Sequence, residues 1–256
     1  MNTPLIAVLP FCLRDSKEAG RLLEWIATLD TKIHDHALLL VADDAVPMED
    51  KQRIKSLGMA AFDNVEAISV KAPAPVGTAY NVPAAVMFSR AMGHIDACYK
   101  WNWFWMEPDC VPLRSLWLDM LAEAYAQSPK RFLGPIITTD QPDVPKIHMA
   151  ATAVYPNCAN SELKKFCNGK QHFDMAFADH VVPRAQNTPL IWHRWGTPTE
   201  VPTFKETKLD SDGPNVGELS VIPKEACLFH RNKDGTLIEL LRKRRETSTQ
   251  RQKAKV

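Results

Sequence analysis

The segment Trp101-Asn102-Trp103-Phe104-Trp105-Met106-Glu107-Pro108-Asp109-Cys110 constrains the fold more than any other part of the chain. Five of its first six residues are aromatic or Met, side chains that fill a buried, pleated surface. A strand of this composition belongs in the middle of a sheet. Glu107 and Asp109 follow at once, two residues apart, with Pro108 between them. In extended backbone, residues i and i+2 project from one face. Two acids at the carboxyl end of a central strand form a site for a hard divalent cation, Mg²⁺ or Mn²⁺, especially when a substrate's phosphates add further oxygens. Open α/β sheets place their ligands at that edge. The competing reading is a strand ending in a polar turn, where Pro and Asp are common.

The rest of the first half alternates as such a strand requires. Leu5 to Leu9 is a short apolar run. Ala19, Leu22, Leu23, Ile26 and Leu29 recur at helical spacing, which predicts an amphipathic helix over 16–29 starting at Asp15 or Ser16. Ala37 to Ala42 is a second apolar run, ended by Asp43-Asp44; residues 49–57 read as helix and Val65 to Val70 as a third strand. Unbroken apolar runs fit parallel strands covered on both faces. The fold class expected is α/β, a doubly wound mixed sheet with helices on both faces.

Lys71 to Gly77 is a Pro-rich loop, and a helix is predicted within 81–92, with Asn81 at its cap and Gly93 ending it. Ser115 is expected to cap a helix running to about Gln127, and Phe132 to Ile137 and Met149 to Tyr155 to form two further strands. Residues 196–217 carry no period and read as a long loop, of the kind that serves as a lid or binding segment. Leu237 to Glu246 is helical in propensity, followed by a basic tail to Val256.

A chain of 256 residues fits one large α/β domain. Its net charge of +1 excludes a polycation built to coat nucleic acid, so any such contact must come from a local patch. No apolar run approaches the roughly 20 residues that span a bilayer. Met1 to Pro10 lacks the basic start of a signal peptide. The six cysteines contain no C-x-x-C pair, which argues against structural zinc and for reduced thiols. A cytoplasmic location is expected (the host cytoplasm, if the chain is viral), with no membrane partner.

A second segment repeats the design of the first. Ala226-Cys227-Leu228-Phe229-His230-Arg231-Asn232-Lys233-Asp234-Gly235 is an apolar strand that ends in clustered polar groups. His230 offers an imidazole to a borderline cation, and Arg231 and Lys233 offer positive charge to phosphate oxygens. The plainer reading is a hairpin turn with solvated charges. The run Ile191-Trp192-His193-Arg194-Trp195 either stacks on a sugar or nucleobase or forms a buried strand with Arg at its edge. His34, His36, His94 and His148 are read as structural or surface residues.

In their order along the chain these motifs resemble GT-A glycosyltransferases, the nucleotide-sugar-dependent type, over about residues 4–238. The departure is that the usual Asp-x-Asp stands here as Glu107-Pro108-Asp109. The resemblance implies a catalytic domain over 1–238, with a nucleotide-sugar half (1–110) and an acceptor half (111–238), followed by a basic helix or tail over 239–256. It implies that Asp109, with Glu107, holds Mn²⁺ or Mg²⁺ and that His230 completes the site. Asp43 or Asp44 would lie near the nucleoside, Asn81 and the loop before it along the donor, and Arg231 and Lys233 near the phosphates. An inverting enzyme also needs a base. Asp174, in His172-Phe173-Asp174-Met175, is the candidate because apolar neighbours raise a carboxyl pKa; Asp179 is the alternative. Trp192, Arg194 and Trp195 would contact the acceptor.

Met106 to Leu113 and Leu228 to Leu237 are similar to small phage-type members and to base J-type glucosyltransferases, which act on hydroxymethylated pyrimidines in DNA. Leu241-Arg242-Lys243-Arg244-Arg245, with Arg251, Lys253 and Lys255, is a run that either contacts phosphate backbones or forms a soluble terminal helix. The expected activity is transfer of a sugar from a nucleotide-sugar, a UDP-sugar such as UDP-glucose, to a hydroxyl of 5-hydroxymethylpyrimidine in DNA. The alternatives are a saccharide or protein acceptor, or a non-catalytic nucleotide-sugar-binding module. A nucleotidyltransferase is disfavoured, because Pro10 to Asp15 has no glycine where a phosphate loop would lie.

Overall fold

The computed structural model describes residues 3–30, 32–73, 81–138, 145–168, 172–193, 222–231 and 235–253. Its strands are β1 (Leu5–Phe11), β2 (Ile33–Asp43), β3 (Phe62–Val70), β4 (Asn102–Trp105), β5 (Cys110–Pro112), β6 (Phe132–Gly134), β7 (Ile136–Thr138), β8 (Ile147–Met149), β9 (Val154–Tyr155), β10 (Ala185–Asn187), β11 (Ile191–His193) and β12 (Leu228–His230). Its α-helices are α1 (Ser16–Leu29), α2 (Met48–Ala61), α3 (Asn81–Cys98), α4 (Trp117–Gln127), α5 (Ala159–Leu163), α6 (Phe173–Ala176), α7 (Ala178–Val181) and α8 (Thr236–Lys253). Among the described residues, no helix is long and apolar enough to cross a membrane.

The main sheet has seven strands in the order β10-β6-β9-β4-β1-β2-β3. The aromatic strand β4 is therefore central. β1 pairs in parallel with both β2 and β4, and β2 with β3; β9 runs antiparallel between β4 and β6. Alternate residues of β1 enter two different cores. Leu5, Ala7, Leu9 and Phe11 pack with Leu22, Ile26, Ile54, Trp117 and Leu237 on one face, and Ile6 and Val8 with Phe88, Phe173 and Phe177 on the other. This double cover is why the strand reads as an unbroken apolar run. In β4, Trp103 stacks on Tyr155 at 4.5 Å between ring centroids, while Phe104 meets Trp117 on the opposite face.

Four sequence expectations are corrected. The helix within 81–92 does not stop at Gly93 but runs to Cys98; a Cβ at Gly93 would meet nothing within 4 Å, so the glycine lies on an open helix surface. Ser115 does not cap α4. Its hydroxyl donates to the Leu29 carbonyl at 2.8 Å, while Leu116 precedes the helix in the left-handed conformation (φ 58). Phe132–Ile137 is two strands, because Pro135 has no N–H to continue a ladder and the Ile136 N–H donates to Asn187 Oδ1 instead. Met149–Tyr155 is likewise broken by a bend at Ala150–Ala153, a small-residue stretch poor in strand formers.

The helices and strands of the first half otherwise extend the expected spans by a few residues. The proposed boundary after Ile238 falls inside α8, whose Leu237, Ile238 and Leu240 are all buried. The long segment 196–217 lies outside the described residues.

A second sheet, in the order β11-β12-β5, positions the polar groups. β12 pairs antiparallel with β5 and in parallel with β11, so that His230 faces Cys110 on one side and His193 on the other.

Candidate metal and donor site

Glu107 and Asp109 do not converge by strand alternation. Residues 107–110 form a turn closed by the Cys110 N–H donating to the Glu107 carbonyl at 2.9 Å. Pro108 suits the second position of such a turn. β5 then begins at Cys110, directly beside Asp109. Because His230 pairs with Cys110, its ring reaches both acids: Nε2 lies 2.7 Å from Glu107 Oε2 and 3.2 Å from Asp109 Oδ1. His230 and Asp109 are nearly inaccessible, at 4% and 5% exposure.

Burial alone would lower the His230 pKa. The Asp109 and Glu107 carboxylates overcome this and raise it to about 9. With no cation bound, the imidazole is thus held protonated between two acids. Two carboxylate oxygens and an imidazole nitrogen at this spacing fit a divalent cation in place of that proton. Cys110 lies with Asp109 and His230 in a cluster of metal-ligating atoms within 4.8 Å of one another. Its thiol pKa is pushed up by burial, and further by Asp109 and Glu107. Mg²⁺ and Mn²⁺ prefer oxygen donors to a soft thiolate, so the donor set that fits such a cation is Glu107, Asp109 and His230.

Glu107 borders a cavity of about 320 Å³, lined also by Ile137, Ala150, Ala151, His172, Asp174 and Met175, together with His193, His230 and Arg231. Ala150 and Ala151, from the bend between β8 and β9, form part of its wall. Arg231 has φ 96, a left-handed conformation costing a non-glycine residue roughly 1–3 kcal/mol. Such strain persists where the surroundings demand it, and here it turns the chain as β12 delivers His230. Asp174 sits in the first turn of α6, half-buried, with its pKa raised by burial and by Glu107. Asp179, on α7, is exposed and borders a separate cavity beside Lys146 and Val182.

Asp43 and Asp44 lie at the carboxyl end of β2, the sheet edge that β4 shares, where Asp43 Oδ1 accepts the Ala45 N–H at 3.0 Å. Asn81 begins α3. Trp192 packs its ring 5.1 Å from that of Phe229, on the strand face opposite His193 and His230. Arg194, Trp195, Lys233 and the loop 75–80 lie outside the described residues.

Sequence reasoning missed His193. Its Nδ1 lies 2.6 Å from His230 Nδ1. Burial lowers its pKa to about 2, helped by the charges of His230 and Arg231. A signal was present: Ile191-Trp192-His193 and Leu228-Phe229-His230 share one pattern, apolar, aromatic, histidine, and they are the two paired strands. His148, read as structural or surface, is fully buried. His36 is buried against the Leu5 N–H.

The fold is shared with solved glycosyltransferases. The galactosyltransferase LgtC in complex with donor and acceptor sugar analogs has a TM-score of 0.53 at 8% identity, over 88% of this chain and 86% of that chain. An active-site variant of LgtC gives the same values. The bifunctional glycosyltransferase WbbM gives 0.53 at 12% identity, over 90% of this chain and 46% of that one. No protein-family model matches the sequence, and no curated protein matches it. At such identities the likeness establishes the fold, a GT-A-like mixed sheet with helices on both faces.

Proposed function

We propose that this chain is a metal-dependent glycosyltransferase, moving a sugar from a nucleotide-sugar, a UDP-sugar such as UDP-glucose, to an acceptor hydroxyl. The observation that carries the reading is the convergence of Glu107, Asp109 and His230 at the carboxyl edge of the central strand in a GT-A-like sheet. These three residues would hold Mn²⁺ or Mg²⁺, which when bound stabilises the charge developing on a departing diphosphate. Arg231 places a fixed positive charge at the same cavity. Asp174 borders that cavity with a raised pKa and is the group suited to take the acceptor hydroxyl's proton in an inverting transfer. Asp43 and Asp44, on the same sheet edge, are suited to the nucleoside.

The basic residues of α8 favour 5-hydroxymethylpyrimidine in DNA as the acceptor, since Lys243 and Arg245 are exposed along it. A saccharide is the second reading, supported by the acceptor sugar analog in the LgtC complex. The deciding experiment measures nucleoside diphosphate release from a panel of nucleotide-sugars with Mn²⁺, with and without hydroxymethylated DNA. Release that rises with the DNA supports both donor and acceptor. Slow hydrolysis indifferent to DNA keeps the donor chemistry and moves the acceptor to saccharides or proteins. No release from any donor overturns the enzymatic reading in favour of a nucleotide-sugar-binding module.

A further inference from the structure

We propose that His193 is a positioning residue that locks the His230 imidazole, through a hydrogen bond between their Nδ1 atoms, in the orientation that turns Nε2 towards Glu107 and Asp109. The inference rests on the reading that Glu107, Asp109 and His230 hold a divalent cation. The two ring nitrogens of His230 face different groups: Nε2 meets the acids at 2.7 and 3.2 Å, and Nδ1 meets His193 at 2.6 Å. His193 therefore stands on the far side of the ring from the acids. Its contact with the site runs through the His230 ring.

Proton accounting gives the bond a direction. A neutral imidazole that presents its Nε2 lone pair to a cation carries its one N–H on Nδ1, so His230 donates and His193 Nδ1 accepts. When Nε2 instead carries a proton towards Glu107, the Nδ1–H is still present and the same bond persists. The His193 contact is thus compatible with both occupants of the Nε2 side, and with His193 as acceptor it stabilises the tautomer that leaves the Nε2 lone pair free for a cation. Histidine ligands commonly have their second nitrogen fixed in this way, and loss of the partner costs about 10- to 100-fold in metal affinity.

The backbone prepares the contact. Parallel pairing puts His193 directly across from His230, with ring centroids 4.6 Å apart. The left-handed turn at Arg231 ends β12 immediately afterwards.

The test is a double-mutant cycle on Mn²⁺ affinity, measured by electron paramagnetic resonance on the full chain, with circular dichroism confirming the fold. H193L should weaken Mn²⁺ about 10- to 100-fold. H193N, whose amide oxygen can accept the same proton, should stay near wild type. In the H230A background, H193L should cost nothing further, because its effect passes through His230. Wild-type affinity in H193L overturns this inference and leaves the metal site standing. So does an equal loss in the H230A background, or an H193N variant as weak as H193L. Wild-type protein that binds no Mn²⁺ overturns both readings. A second measurement needs no variant: imidazole-nitrogen NMR of the Mg²⁺-loaded protein should find His230 protonated at Nδ1, and protonation at Nε2 overturns the proposal.

Discussion

Glu107 and His230 stand 123 positions apart in sequence, yet Oε2 of one lies 2.7 Å from Nε2 of the other. The contact exists because β12 folds back antiparallel onto β5, the strand that starts just after the acids. Neither half of the chain contains the site. Two carboxylates and an imidazole brought out of water cost free energy unless each is compensated, and the pairing of these strands supplies that compensation.

Asp109 is the acid buried most deeply in this group. Asp109→Ala should reduce nucleoside diphosphate release by about 10²- to 10³-fold at saturating donor and Mn²⁺, the usual cost of removing one group that stabilises developing charge. The loss should not be recovered by raising Mn²⁺ alone. Near-native turnover would end the assignment of Asp109 to the metal site.

The two candidate bases stand in different surroundings, and their variants should separate. Asp174→Asn should lower kcat by about 10²- to 10⁴-fold, and Asp179→Asn, an exposed residue of α7 beside another cavity, should leave it largely intact. A carboxyl acts as a base only when ionised. Burial raises the Asp174 pKa, so kcat should fall as pH drops through a value above the ordinary carboxylate range. That acidic limb should vanish in Asp174→Asn. Loss of rate in Asp179→Asn alone would exchange the two roles.

The central strand, the first five elements and both acid- and histidine-bearing segments were legible because they depend on local signals: apolar runs, helical periodicity and abrupt polarity. What was not legible depends on pairing. The turn at 107–110 brings the acids together by a backbone hydrogen bond rather than by strand geometry. Pro135 sends the two halves of one apolar run into different sheets. His193 acquires its meaning only from the strand beside it. Ser115 has the chemistry of a helix cap, but the Leu29 carbonyl takes its hydroxyl.

The position of α8 bears on where the folded unit ends. Leu237 is fully buried, packed in the same core as Leu22 and Ile26 of α1. Leu237→Ala should therefore destabilise the whole domain by about 2–5 kcal/mol, the range for a deleted core leucine. Urea unfolding followed by tryptophan fluorescence would report it as a lowered midpoint with unchanged slope. An unaltered midpoint would mean that α8 is an appendage and not part of the core.

His36 makes stability depend on pH in a definite direction. Its Nδ1 accepts the Leu5 N–H at 3.0 Å, and its ring is 1% exposed. Burial lowers its pKa below 6.5, although Asp119, 3.4 Å from Nε2, partly opposes the shift. The unfolded chain thus takes up a proton at a pH where the folded chain does not. The stabilisation is complete above pH 6.5 and is lost as pH falls towards the folded pKa, by up to about 1.4 kcal/mol per pH unit. His193, lowered to about 2, adds in the same direction, while His230, raised to about 9, acts only in the window above 6.5. His36→Asn keeps an acceptor for Leu5 and removes the titrating ring. It should unfold more easily than wild type near neutral pH, because volume is lost from the core. Between about pH 7.5 and about pH 5 it should lose less stability than wild type does. Equal losses in the two proteins, measured by urea midpoints at both values, would remove His36 as a source of the acid limb.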